Sequence, residues 1–187
     1  MEQKIIDSTI KQIKQFGLKR FTMDDIAQDL GISKKTLYQY YPSKRELLQA
    51  VVQWVEERER TITDQALAGA DSWLERLDAV LSVYSFANLP YRLMNEVNRS
   101  YLGEYEGISR IGQYKSEALR KILQEGLETG KLKQEINPEV IILTLDKMFF
   151  TLTAEDFLQE NDLTVNQLLQ QMKTLLFFGS LTTGSGL

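Results

Sequence analysis

Apolar residues recur along this chain at intervals of three and four, the spacing that lines one face of an α-helix, and no stretch alternates for long enough to predict a strand. Ile6, Ile10, Ile13 and Phe16 predict a first helix, with Gly17 as its left-handed stop. Thr22-Met23-Asp24-Asp25-Ile26 predicts a second start. Thr22 has the chemistry of an N-cap, the aspartates suit the positive end of the helix dipole, and Phe21 is placed to staple onto Ile26. Ile26, Ala27 and Leu30 give this helix a short apolar face, which ends at Gly31. Ser33 then caps a segment of about two turns, Lys34 to Tyr41, stopped by Pro42.

Ser43-Lys44-Arg45-Glu46 has the form of a capping box and opens a long amphipathic stretch carrying Leu47, Leu48, Val51, Val52, Val55 and Ile62. No Pro- or Gly-rich linker interrupts it, so a continuous helix is expected to join the two parts of the chain. Trp73, Leu74, Leu77, Val80 and Leu81 predict the next helix, followed by a break near Pro90 and a glycine-punctuated aromatic region from Tyr101 to Gly107. A helix with Ile111, Tyr114, Ala118, Ile122 and Leu123 then runs to Thr129-Gly130-Lys131. Asn137-Pro138 opens another, with Asn as cap and Pro at the first helical position. Thr164 to Gln167 is a second capping box, with Leu163 placed to staple onto Leu168, and the small polar residues from Ser180 to Leu187 predict a frayed end.

Composition narrows the chemistry. The 187 residues include no cysteine and no histidine, so disulfides, thiolate zinc sites, cysteine nucleophiles and imidazole catalysis are excluded. A metal would have to be held by carboxylates alone. The adjacent pairs Asp24-Asp25 and Glu56-Glu57 point about 100° apart on a helix and do not converge. No metal, no cofactor and no enzymatic activity are therefore expected. No apolar run approaches the roughly 20 residues needed to span a bilayer, and the first residues lack a signal-peptide core, so no membrane association and a cytoplasmic location are expected.

A net charge of −4 at first opposes a nucleic-acid partner. Residues 1 to 60, however, hold eleven Lys and Arg against nine Asp and Glu, a net of +2, which leaves −6 for the remainder. Phosphate binding responds to charge within about 8 Å at physiological salt, so the local sign matters more than the total.

The informative feature is the pair of short helices from Thr22 to Tyr41 separated by Gly31-Ile32-Ser33. A helix-turn-helix needs an apolar face on both helices, a small residue at the turn, and a second helix whose outward, N-terminal end meets base edges in the major groove. Ile26, Leu30, Ile32 and Leu37 supply the internal contacts and Gly31 the turn; Lys34, Lys35, Thr36, Tyr38 and Gln39 are left to face outward.

From Thr22 to Lys44 the residues follow the string T-x-x-x-I-A-x-x-L-G-I-S-x-x-T-L-Y-x-x-[FY]-x-[SN]-K, and this closely resembles the N-terminal signature of the TetR family of bacterial transcriptional regulators. The resemblance implies a dimer with one three-helix DNA-binding head per subunit and a larger helical body that senses a small molecule. It also implies roles. Thr22 would contact a phosphate from the cap of the second helix. Ser33, Lys34, Lys35 and Thr36 would stand at the groove-entering end, Tyr38 and Gln39 would face DNA, Tyr40 would reach the backbone, and Lys44 would bind a phosphate. Histidine is frequent in the family at the place of Tyr40.

The expected fold is all-α: a helix-turn-helix domain over residues 1–46, then a helical ligand-binding and dimerisation domain over 47–187. Two late segments, 138–152 and 165–178, are apolar on nearly all sides and are expected to be buried on nearly all sides, forming a four-helix interface between two subunits. Trp73, Tyr84, Tyr91, Met94, Tyr101, Tyr105, Tyr114, Met148 and Phe149 are candidates to line a pocket for a small apolar or aromatic effector. Aromatics at helical spacing also make plain core. The functional expectation is a ligand-responsive repressor that binds palindromic operator DNA as a homodimer. The alternative keeps the DNA head and makes the body a dimerisation or protein-interaction module without a ligand.

Overall fold

The computed structural model describes residues 1–82, 106–152 and 155–180; within these, the side chains of 106–111, 149–150, 155–156, 165 and 177–180 are outside the description. The described elements are all helices: α1 (Glu2–Phe16), α2 (Met23–Leu30), α3 (Lys34–Tyr40), α4 (Lys44–Ala68), α5 (Trp73–Ser82), α6 (Glu106–Glu128), α7 (Pro138–Leu152), α8 (Glu155–Glu160) and α9 (Val165–Ser180). There is no strand among the described residues. None of their helices is long and apolar enough to cross a membrane. The predicted break near Pro90, the aromatic stretch 101–105 and the tail 181–187 lie outside the described residues; Glu106 and Gly107, expected before the helix, are its first turn.

Contacts divide the chain into two units. One contains Met1–Arg58, and the other contains residues 59–82 and 111–180 among those described. Helix α4 runs without interruption through the expected boundary at 46/47, and its residues from Glu59 onward count with the second unit.

In the first unit α1 packs against α2, and α2 against α3. Ile5, Ile6, Ile13, Leu18, Phe21, Met23, Ile26, Ala27, Leu37, Leu47, Leu48 and Val51 are buried there. The expected α1 face is corrected at one end: Phe16 is 46% exposed, while Ile5, Ser8, Thr9 and Gln12 are buried. The buried stripe leads with Ile5 and therefore passes through 9, 12 and 13 and leaves the last turn free. Gly17 has φ 80° and ψ 165°, a positive-φ stop that continues extended rather than in the left-handed helical well.

The second unit is built around Trp73, Leu77, Val80 and Leu81 of α5, Leu119, Ile122 and Leu123 of α6, Ile141, Ile142 and Leu145 of α7, and Leu168, Leu169 and Met172 of α9. Trp73 Nε1 donates to the carbonyl of Ile122 at 2.6 Å, which satisfies its one polar atom inside the core. The caps stand as expected. Asn137 Oδ1 accepts from the Glu139 amide, and Thr164 and Gln167 exchange the two bonds of a capping box.

Within one chain α7 and α9 leave apolar side chains exposed, whereas the expected burial is that of two subunits together. Val140 and Leu143 on α7 are 61% and 58% exposed, and Leu175 on α9 is 66% exposed. Val140 and Leu143 lie opposite the residues that α7 buries in the core. Two lysines are buried instead. Lys115 is 1% exposed and pairs with Glu59 at 2.5 Å; Lys173 pairs with Asp78 at 2.8 Å and donates to Ser82. Burial pulls the Lys115 amine below its ordinary range, against the opposing pull of Glu59.

Gly126 of α6 sits under the Trp73 ring, where an added Cβ would come within 2.5 Å of Cζ2. Gly126→Ala must push the indole out of its hydrogen bond, at a cost of about 1–3 kcal/mol for overpacking. Thermal unfolding is expected to show a Tm lower by several degrees; an unchanged Tm would mean that this contact is not present in solution.

Candidate nucleic-acid interface

Helix α2 begins with a reciprocal cap. The Thr22 hydroxyl accepts from the Asp25 amide, and the Asp25 carboxylate accepts from the Thr22 amide at 2.7 Å. Its other end is set by Gly31, at φ 63° and ψ 29°, whose left-handed turn swings the chain into α3. Ser33 Oγ accepts from the Thr36 amide at 3.0 Å and lies 2.8 Å from Thr36 Oγ1. These two caps and one turn fix where α3 starts.

Helix α3 has only seven residues, and Leu37 at 0% exposure is its anchor. With Leu37 inward, Lys34, Lys35, Tyr38, Gln39 and Tyr40 are exposed and Thr36 is half-buried. Lys34 and Tyr38, like Lys35 and Gln39, are four apart and lie on neighbouring ridges of the outward face. Lys34 Nζ pairs with Asp24 of α2 at 2.5 Å; Lys35 has no side-chain partner among the described residues. α3 carries no acidic side chain.

Lys44, the expected phosphate ligand, is the first residue of α4 and has partners within the chain. Its amine donates to the carbonyl of Phe21 at 2.6 Å and to that of Lys19 at 3.4 Å, and stands 4.0 Å above the Phe21 ring. It thus ties the start of α4 to the loop that feeds α2. Sequence reading had no signal for this contact, because residues 23 and 25 positions apart meet only through tertiary structure. A second tie that it missed joins α1 to α2: Asp29 accepts from Ser8 at 2.7 Å and from Lys11 at 2.5 Å.

Three of the expected pocket residues, Trp73, Tyr114 and Met148, have described side chains. Trp73 belongs to the core, and Met148 packs against it. The Tyr114 hydroxyl bonds Asp64 of α4, and its ring lies under the Arg60 guanidinium at 4.9 Å. Tyr84, Tyr91, Met94, Tyr101 and Tyr105, and the side chain of Phe149, lie outside the described residues. An open groove of about 480 Å³ in the second unit is lined mostly by small residues, Ala66, Gly69, Ala70 and Ala79, together with Leu74, Ser82 and the carboxylates Glu75 and Asp78. None of its lining residues among those described is aromatic.

Two short helices joined by a left-handed glycine, the second presenting lysines, tyrosines and an amide from an apolar anchor, define a helix-turn-helix transcriptional regulator. Residues 5–51 match the model of the bacterial regulatory proteins of the tetR family. Over that region the chain is similar to the family. An HTH-type transcriptional regulator of uncharacterised role from Bacillus subtilis, YvaF, is 26% identical over 182 residues, covering 96% of this chain and 95% of that protein. Among solved structures, a transcriptional regulator from Saccharomonospora viridis in complex with choline aligns with a TM-score of 0.86 at 13% identity, over 97% of this chain and 98% of the other. FadR from Bacillus subtilis in complex with stearoyl-CoA aligns with a TM-score of 0.75 at 18% identity, over 96% and 99%. At these identities the structures establish the shared all-helical fold.

The carboxylates that organise the head set its acid limit. Hydrogen bonds from Thr22 hold the Asp25 carboxyl below its usual range, and those from Lys11 and Ser8 do the same for Asp29. A folded-state pKa below the unfolded value, about 3.9, gives stabilisation that is complete above that value and lost as pH falls through the folded one. Acid unfolding followed by circular dichroism is expected to be less steep below about pH 4 for Asp29→Asn than for the unmodified chain. Equal slopes would contradict the assignment.

Proposed function

We propose that this regulator is a homodimeric, ligand-responsive repressor that binds palindromic operator DNA through α3 of each subunit. The head, residues 1–46, would supply the DNA contacts, and residues 47–187 the dimer interface and effector site. The observation that carries the reading is the outward face of α3, where Lys34, Lys35, Tyr38 and Gln39 stand exposed around a fully buried Leu37. Thr22, Ser33, Thr36 and Tyr40 flank it, the first two with side chains already used as caps. Lys44 acts in this reading by holding the feeding loop, and any phosphate it meets must compete with two backbone carbonyls.

Dimerisation is supported by Val140, Leu143 and Leu175, large apolar side chains left in water on the two late helices that sequence singled out. Two copies of α7 and α9 would cover them across a two-fold axis. In the DNA-competent state the two recognition helices would stand about 34 Å apart, one turn of duplex. An effector that binds a state of different separation more tightly releases DNA in proportion to its differential affinity.

The two solved neighbours were bound to choline, a cation, and to stearoyl-CoA, an anion, so an effector's charge does not transfer by likeness. A reading in which the body only dimerises is favoured by one observation: the Trp73 ring is buried in the core, with its indole N–H spent on the Ile122 carbonyl. A hydrophobic compound that raises Tm in a concentration-dependent way would decide for the effector.

The direct test is selection of random duplexes on the purified protein. The expected outcome is a palindrome with half-sites one helical turn apart, whose preferred bases change with Lys35→Ala or Gln39→Ala. A selection that enriches no site would refute the proposal.

A further inference from the structure

The recognition surface contains one acidic side chain in the first turn of α2 that takes no part in the cap. Asp24 is the second residue of α2, and the capping box at that terminus uses Asp25, not Asp24. Asp24 reaches instead across the turn to Lys34, the first residue of α3, with Nζ and Oδ2 at 2.5 Å. Both side chains are exposed, at 55% and 66%, and ion pairs of this kind contribute little to stability. The next lysine, Lys35, has no such partner among the described residues. The two lysines at the groove-entering end are therefore not equivalent.

We propose that Asp24 is a specificity-determining residue of this head: by holding the Lys34 ammonium it denies that charge to indiscriminate phosphate contacts. The inference rests on the reading that α3 enters DNA. Non-specific binding derives almost wholly from lysine and arginine releasing counterions at phosphates. When the head meets an arbitrary duplex, Lys34 has two options. If it stays on Asp24, it releases no counterion. If it moves to a phosphate, it leaves an unpaired carboxylate beside a polyanion. Both weaken the complex with the wrong sequence, whereas base contacts from Lys35 and Gln39 remain available at the right one. Discrimination is thus gained by disfavouring the competitor. The Lys34 amine is held above its ordinary range, chiefly by the hydrogen bond to Asp24.

The test compares the unmodified protein, Asp24→Asn, Lys34→Gln and the double variant. Each is titrated against the duplex enriched by selection and against a scrambled duplex of equal length and composition, over a range of salt. Asp24→Asn removes charge without touching the cap, so its melting should change only slightly, by the lost interaction with the helix dipole. It is expected to bind the scrambled duplex about tenfold more tightly at low salt, through two released lysines per dimer. Its log–log salt slope should steepen by about 2, at roughly 0.9 per phosphate contact. Affinity for the enriched duplex should change less, so the ratio of the two affinities falls. In the Lys34→Gln background Asp24→Asn should leave the slope unchanged. A slope unaffected by Asp24→Asn overturns the proposal, and so does an equal change in the Lys34→Gln background, which would mean direct repulsion of DNA. An unmodified protein that binds neither duplex refutes the DNA reading itself.

Discussion

The head depends on a helix too short to stand alone. Seven residues form barely two turns, and helices of that length have no independent stability in water. What keeps α3 helical and aimed is the burial of Leu37, a gain of about 1.5–3 kcal/mol, together with the Ser33 cap and the left-handed Gly31. Each acts on a different degree of freedom. Leu37 sets which face points outward, Ser33 sets where the helix begins, and Gly31 sets its angle to α2. The outward set follows from these three.

The rest of the head can be understood as support for that arrangement. Asp29 ties α2 to α1 through Ser8 and Lys11, and Lys44 fastens the first turn of α4 to the carbonyls of Lys19 and Phe21. These are polar ties, specific in direction and weak individually. The second unit shows the opposite balance. A large apolar core is joined by a buried charge pair at Lys115, for which desolvation offsets much of the attraction, and by one at Lys173 whose partner Asp78 is half exposed. Such pairs fix which side chains meet more than they add stability. The apolar residues left in water on α7 and α9 are this unit's remaining unfavourable term, and a second copy would remove it.

Local chemistry was legible in the sequence. Both caps of the helix-turn-helix, the Gly31 turn, the Leu37 anchor and the Thr164 to Gln167 box could be read because each involves residues within four positions of one another. Readings that needed a distant partner were less secure. Phe16 fits the period of α1 but lies past the point where α2 covers it, and Ile5, one position from the chosen stripe, is the residue at its centre. Lys44 has a cation's chemistry, and only the fold shows carbonyls within its reach. Lys115 did leave a signal, since it stands four residues before Leu119 and seven before Ile122, inside the apolar stripe of α6. A lysine in such a stripe calls for a carboxylate on the facing helix, and Glu59 fills that role.

The central claim is that the outward face of α3 is the surface that meets DNA. Amide chemical shifts recorded while a palindromic duplex is added test it most directly. The account predicts that perturbations concentrate at Lys34, Lys35, Tyr38 and Gln39 and at the capped start of α2, with none of comparable size between Val140 and Leu145. Perturbations centred on α7 or α9, with α3 silent, would contradict it.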